Sequence, residues 1–337
     1  MPPRGTILTG LPFALVFVLA AGLGIGALFA TPSRSPGSTA PAPSGSAAIA
    51  SAAPTSVAPT SAVPTSVAPT SAAPSSQPPT SPVFSEGANA APEMLRVHNE
   101  LRVAVGATAV RGDDRVTAAA QRHAEYLARN NMLGHEESQG DPGFTGISVR
   151  DRLVAQGYPD TNASEVATSF GSGVDSVRSL WVLPYHRLGL MHPHAIVAGW
   201  GHAEVGGRST TVGVILYDFG SAAPDLIRTP AAGQKVAGSW EGEEFPDVLP
   251  AGAARPVGYP VMVVFSKAQA TELRSARLTD ASGREVSSYT VPQIYERDYA
   301  AIVPAAPLAA GKRYHVRLEL HVADRDVIEE WDFETER

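Results

Sequence analysis

From Pro92 to Arg337 apolar and polar residues alternate with two different periods, and before Pro92 with neither. Behind Pro92 and Glu93, Met94, Val97, Leu101 and Val105 recur at helical spacing until Gly106. Proline suits a first helical turn and glutamate suits the positive end of the helix dipole, so a helix is predicted to open there. Asp113 and Asp114 open a second helix with Val116, Ala120, His123 and Leu127 on one stripe, fading at Asn130 and Asn131. His135 then falls on a loop beyond a helix end. Ser148 with Asp151 reads as a capping box for a short helix that Leu153 to Gly157 complete. A fourth helix over residues 174–183 turns Val177, Leu180 and Trp181 inward and stops at Pro184. Ala195–Gly201 and Thr211–Phe219 are rich in β-branched residues and read as paired strands. Helices on a small sheet make residues 93–222 an α+β domain.

Beyond Pro224 the period falls to two. Val261, Val263 and Phe265 share one face of a strand, and Leu273, Ala276 and Leu278 mark another with broken register. Tyr314, Val316, Leu318, Leu320 and Val322 alternate strictly, and Trp331 and Phe333 close the chain in the same way. Turn residues at Asp280–Gly283, Pro304–Pro307 and Ala310–Lys312 separate these runs, as an all-β sandwich over residues 225–337 requires.

The first third of the chain has a different character. Leu8–Ala30 is an apolar run of 23 residues between Arg4 and Arg34. About 20 apolar residues suffice to span a bilayer, whereas a signal peptide needs only about 7–15 before a small-residue cleavage site. Residues 1–34 are therefore read as a membrane anchor, which makes the chain single-pass with its domains outside the cytoplasm, or secreted if the segment is cleaved. Residues 35–92 carry one charge, Glu86, and repeat Ala-Pro-Thr-Ser-Val from Ala53 to Gln77. Proline removes backbone donors and holds φ, so this stretch is expected to be a disordered, extended stalk rather than a globule.

The chain has no cysteine, which leaves its folded part to be held by a core. A net charge of −7 without a Lys/Arg cluster argues against nucleic acid and anionic lipid surfaces as partners. The Ala- and Pro-rich composition suggests a bacterial envelope protein.

Candidate chemistry is concentrated in the α+β domain. His135, Glu165 and His186 stand out because imidazole and carboxylate are metal ligands and proton carriers, here set among Ala, Val, Leu and Gly. Around them lie His98-Asn99-x-x-Arg102, Arg152-Leu-x-x-x-Gly157-Tyr158, Trp181 with Pro184-Tyr185-His186-Arg187-Leu188, and Gly199-Trp200-Gly201. In order and spacing this set resembles the CAP superfamily of cysteine-rich secretory, venom-antigen and pathogenesis-related proteins, in its bacterial SCP-like form. The resemblance implies an α-β-α sandwich with a central cavity, and assigns His135, Glu165 and His186 as cavity residues that in some relatives hold zinc or another divalent ion. Two departures stand out. Ser164 and Val166 replace the glycine and asparagine around the family's glutamate, and Pro184 occupies the position of its second acid. The C-terminal region resembles bacterial Ig-like domains, which implies a spacer or adhesion module.

Other candidates are weaker. His135-Glu136-Glu137-Ser138-Gln139 lacks the second histidine of a zinc helix, and Gly140, Pro142 and Gly143 forbid the helix itself. His192-Pro193-His194 reads as a solvated turn and His123 as a satisfied core histidine. Two functions follow: a surface-displayed binding module for a small apolar, lipid or cell-wall ligand, or a metal-dependent envelope hydrolase using His135, Glu165 and His186. The first is preferred, with His135 and His186 as hydrogen-bonded or weakly metal-binding residues.

Overall fold

The computed structural model describes residues 87–159, 161–266 and 270–337, which fall in one compact unit. The expected anchor, and the stalk as far as residue 86, lie outside the described residues. Among the described residues no helix is long and apolar enough to cross a membrane.

The chain runs α1 (Gly87–Ala104), β1 (Arg111–Gly112), α2 (Asp114–Asn130), α3 (Val149–Ala155), β2 (Asn162–Thr168), α4 (Gly173–Val182), α5 (Pro184–Met191), β3 (Ala195–Val205) and β4 (Arg208–Tyr217). It continues through β5 (Leu226–Thr229), β6 (Lys235–Val236), β7 (Ser239–Trp240), β8 (Val257–Gly258), β9 (Val261–Phe265) and β10 (Thr271–Asp280). The last strands are β11 (Ser288–Thr290), β12 (Tyr299–Pro304), β13 (Arg313–Val322) and β14 (Arg325–Thr335).

Two helix boundaries differ from those predicted. The first helix begins at Gly87, so Pro92 lies inside it. Ala91 buries against the core there, which rewards extending the helix backward. Pro184 does end α4, yet it also sits at the first position of α5, where its missing N–H costs nothing. The remaining helical signals match: Asp113 caps α2, and Ser148 and Asp151 form a reciprocal capping box on α3.

The first sheet has the order β1-β3-β4-β2, with β1 parallel to β3 and the other pairs antiparallel. Period-two alternation gives each face its own core. Val197, Val212, Val214 and Leu216 pack with Val116, Ala120, Leu127 and Leu153 of α2 and α3. Ala198, Trp200 and Ile215 pack with Met94, Val97, Leu180, Trp181 and Leu188 of α1, α4 and α5. Helices therefore cover both faces of a mixed sheet. At Gly199 and Gly201 the α2 backbone touches β3 directly: a Cβ at Gly201 would lie 2.3 Å from Gln121 Cα, and one at Gly199 would lie 2.4 Å from Thr117 N.

The C-terminal region is β-rich, with two four-stranded sheets of order β10-β13-β14-β6 and β11-β12-β9-β5. Their facing sides share one core, in which Val261, Val263, Phe265, Ala300 and Ile302 meet Tyr314, Val316, Leu318, Leu320 and Phe333. The broken register expected around Leu273 is a bulge between Leu273 and Ser275. The other side of β9 and β12 is not open to water. Met262, Val264, Tyr299, Ala301 and Val303 join the same cluster as Trp181, Tyr185, Leu188 and Met191. The two sequence regions therefore share one continuous apolar core, with α5 as the layer between them.

Candidate functional site

Helix α5, Pro-Tyr-His-Arg-Leu-Gly-Leu-Met, is buried along its whole length. Buried helix ends leave backbone groups that must find partners, and polar side chains supply them at both ends. At the N-terminus, the Glu244 carboxylate accepts the backbone N–H groups of Tyr185 (2.9 Å) and His186 (3.2 Å), and His186 Nδ1 at 2.7 Å. At the C-terminus, Arg102 donates to Leu190 O (2.6 Å) and His192 O (3.2 Å), and His98 Nε2 donates to Leu190 O (3.0 Å). Acid at the positive end and guanidinium at the negative end both complement the helix dipole. In the middle, Arg187 reaches Val182 O (2.7 Å), Pro260 O (2.9 Å) and Trp181 O.

The His98-Asn99-x-x-Arg102 motif is thus spent on architecture. Asn99 pairs both ways with the Val110 backbone, at 2.9 and 2.8 Å. Trp200 Nε1 donates to His98 Nδ1 at 3.4 Å, which leaves the His98 proton on Nε2. Burial, reinforced by the nearby Arg102 charge, holds His98 down at about 3, so it is neutral. Burial likewise lowers Arg102 to about 10.

The second group lies between α2, α3, β2 and the loop after α2. Arg152 Nη2 donates to Glu165 Oε2 at 2.7 Å and to His135 O at 3.0 Å, while Nη1 donates to Gly146 O and Ile147 O at 3.2 and 3.1 Å. Glu165 Oε1 accepts His135 Nδ1 at 3.0 Å and lies 3.3 Å from His123 Nε2. His123 Nδ1 meets Glu137 Oε1 at 2.9 Å, and the other Glu137 oxygen accepts Thr145 N and Gly146 N at 2.5 and 3.3 Å. All five side chains are buried. Burial raises the cost of ionising Glu165, yet the Arg152 guanidinium and the His123 and His135 contacts outweigh it and hold the carboxyl at about 2.

This depressed value has a measurable consequence. A carboxylate whose folded pKa lies below its unfolded value stabilises the fold above the unfolded value of 4.5, and that stability disappears as pH falls toward about 2. Urea unfolding of wild type and Glu165→Gln across that range should therefore give a stability difference that shrinks as the solution is acidified. A difference that stays constant from pH 4.5 down to 2 counts against an ionised Glu165.

Two of the three expected site residues are brought into contact. His135 does lie on a loop, and Glu165, on strand β2, stands opposite it. His186 belongs to the α5 group and is bonded to Glu244, which sequence reasoning missed. Burial pushes the His186 pKa well down, and proximity to His135 pushes it further. Burial also pushes the Glu244 carboxyl well up, against the His186 and Tyr185 backbone N–H groups and the Arg187 charge.

A three-ligand metal centre at His135, Glu165 and His186 does not fit these contacts. Glu165 sits on the Nδ1 edge of His135, opposite the Nε2 lone pair, and both its oxygens already accept bonds. That is the position of a carboxylate orienting a histidine rather than of a ligand beside it. Among the described residues no three His, Asp or Glu side chains are placed to share an ion. His135 Nε2 and Glu244 Oε2 are buried and have no hydrogen-bond partner among the described residues.

His192 and His194 also depart from expectation. Both are buried, not solvated: His192 stacks edge-on against Tyr217 and Phe219 and approaches Asp298 Oδ2 at 3.4 Å. The chain beyond β4 returns aromatic and acidic groups to this turn, which local composition could not reveal.

Comparison with known proteins places the first domain. Among curated proteins none matches the chain. Solved structures it resembles include CopC from Methylosinus trichosporium OB3b, 18% identical over 32% of this chain and 88% of that one, TM-score 0.23. Another is an outer surface protein from Borrelia burgdorferi, 16% identical over 37% and 90%, TM-score 0.32. A third is an extracellular protein containing a SCP domain from Bacillus anthracis, 17% identical over 39% and 41%, TM-score 0.33. These likenesses are too distant to carry an argument about function. The model of the CAP family, described as the cysteine-rich secretory protein family, matches residues 95–217 and so encloses the whole of α2, α3, α4, α5 and both histidine groups. The domain that holds His135, Glu165 and His186 is therefore a CAP domain, built in this chain without a single cysteine.

Proposed function

We propose that the chain is an extracellular CAP-domain protein that works by binding rather than by hydrolysis. The apolar segment Leu8–Ala30 would hold it at the cell surface, and an Ig-like sandwich would back the CAP domain. One observation carries the reading: the groups a hydrolase would use are committed to the protein itself. Both Glu165 oxygens accept bonds, and Glu165 and His186 are each 1% exposed. A water-activating site needs an open position beside its base; Glu165 offers none, and the unpartnered Nε2 edge of His135 is buried. Large apolar side chains outside the network, Ile147, Val154 and Phe170, are about half exposed and offer contact area to a small apolar or envelope-derived ligand.

Binding of a fluorescent fatty-acid probe to the full chain tests this. His135→Asn keeps a donor toward Glu165, so capture should be unchanged in that variant and in the presence of EDTA. Capture lost on chelation, or hydrolysis of an ester analogue that His135→Asn abolishes, would move the function to a metal-dependent enzyme.

A further inference from the structure

The β-rich region has an opening of its own, lined by no member of either histidine group. Strands β10 and β11 are edge strands of its two four-stranded sheets. Between them, beside β12, lies a cleft of about 510 Å³, within the roughly 300–1,000 Å³ usual for small-ligand sites. Leu273, Val291, Ala300 and Ala301 give it an apolar lining, and Gln293 and Arg297 stand among its polar groups. Gln293 Nε2 donates to Thr271 O at 2.8 Å and to Tyr299 O, which fixes the amide across the mouth of the strand pair. Arg297 is different. Its side chain is exposed, and among the described residues no acid, carbonyl or ring partners its guanidinium. The adjacent Asp298 carboxylate faces His192 instead, at 3.4 Å.

The edge of β10 beside this cleft is open for a short stretch. Ala270 accepts the Ala323 N–H on the β13 side, and at Thr271 the backbone faces the other way, donating to Arg297 O at 2.7 Å. Strand geometry alternates, so Leu273, two positions on, presents its own N–H and carbonyl away from β13. Among the described residues nothing bonds to them on that side. The bulge between Leu273 and Ser275 and the paired charges of Glu272 and Arg274 then bar a longer strand from the edge. One backbone station, an apolar lining and an unpaired cation remain together.

We propose that the cleft between β10 and β11 binds the carboxyl-terminal end of a peptide. The terminal carboxylate pairs with Arg297, the last peptide group bonds to the Leu273 backbone, and the final side chain lies on Val291, Ala300 and Ala301. A guanidinium meets a carboxylate through two parallel bonds, and capture of a chain end beside a short strand edge joins two recurring modes of peptide recognition. The two alanines leave room for a small apolar final residue. A carboxylic acid without a peptide group would leave the Leu273 station unused, and a longer strand would meet the bulge. The inference does not depend on what the CAP domain binds.

Fluorescence anisotropy of the full chain with the tetrapeptide Ser-Thr-Ala-Val, tagged with fluorescein at its amino end, tests this. The free acid should bind, and its carboxamide should bind about fivefold more weakly. Methylating the nitrogen of the last peptide bond removes the donor that meets Leu273 O and should weaken the acid by about the same factor. In Arg297→Gln the acid should fall to the level of the carboxamide, while the carboxamide is unchanged. Because the Arg297 side chain is exposed and unpaired among the described residues, that variant should melt as wild type does. Arg274→Gln removes a cation from the same edge and should leave both peptides as they were. Equal binding of acid and carboxamide, or no binding of the acid at millimolar peptide, overturns the proposal. So does a preference for the acid that survives Arg297→Gln or vanishes in Arg274→Gln, or a methylated peptide that binds as well as its parent.

Discussion

Gly201→Ala should destabilise the protein by about 3 kcal/mol or more, at or above the upper end of what overpacking usually costs. Its Cβ would stand 2.3 Å from both Gln121 Cα and Gln121 N, and 2.5 Å from Ala120 C. These are backbone atoms in the middle of a capped helix of 17 residues, so no side chain can swing aside. Helix α2 would have to lift from β3 and pull Val116, Ala120, Ala124 and Leu127 away from Val197 and Val212. Gln121 would also lose its paired bonds to the His202 backbone, at 2.9 and 3.0 Å. Thermal melting should register the change as a fall of several degrees. Gly206→Ala serves as the control, because nothing stands within 4 Å of its Cβ and any cost there comes only from its φ of +59°. If Gly201→Ala melts no lower than Gly206→Ala, the close approach of α2 to β3 is wrong.

Arg152→Met is the second large effect, with an expected loss of roughly 3–5 kcal/mol, the usual cost of removing one partner of a buried ion pair. Methionine matches the length of the stem and offers no donor. Glu165 would keep only its imidazole contacts, the carbonyls of His135 and Gly146 would lose their guanidinium donor, and that of Ile147 would keep only the Glu137 amide. For a unit of about this size each kcal/mol is worth roughly 2–4 °C, so the melting temperature should drop by about 6–20 °C. A double-mutant cycle with Glu165→Gln separates charge from packing. Once Arg152 is gone the carboxylate is a liability, so the double variant should lose less than the sum of the two single losses. Strict additivity would show that the two side chains do not depend on each other.

Both residues belong to motifs visible in the chain, yet only the fold shows why they matter. Gly201 and Arg152 were legible as parts of a family pattern, and nothing in residue spacing says that one sits under a helix and the other holds a loop. His135 and Glu165 were legible as a pair for the same reason. The grouping of His186 with them was not completed by a third ligand, because its acidic partner is Glu244, far along the chain in a Gly-, Glu- and Pro-rich stretch without periodicity. His123 was read as a satisfied core histidine and is one, but the sequence could not say that its partners are all acceptors.

Hydrophobic period proved most reliable where an element is half exposed. Strand β13 alternates strictly and is buried on alternate residues, because its outer face meets water. Strands β9 and β12 are buried at every position, and their unbroken apolar runs Val261–Phe265 and Tyr299–Pro304 are what a strand covered on both faces shows. The alternation read from Val261, Val263 and Phe265 captured one of those faces. Met262 and Val264 carry the other, which lies against α5.

The order of residues by itself determined the helices with caps, the alternating strands, the apolar and proline-rich character of the first third and the CAP motifs, since each depends on neighbours a few positions apart. Tertiary structure alone decided that α5 is a buried helix clamped by Arg102 and Glu244, that the β-rich region shares its core with the CAP domain, and that Glu165 bonds the Nδ1 edge of His135. Those facts rest on contacts between residues dozens of positions apart, whose burial turns a charge from a solvated face into a structural or chemical element. That difference in range is the physical reason one set could be read from the chain and the other could not.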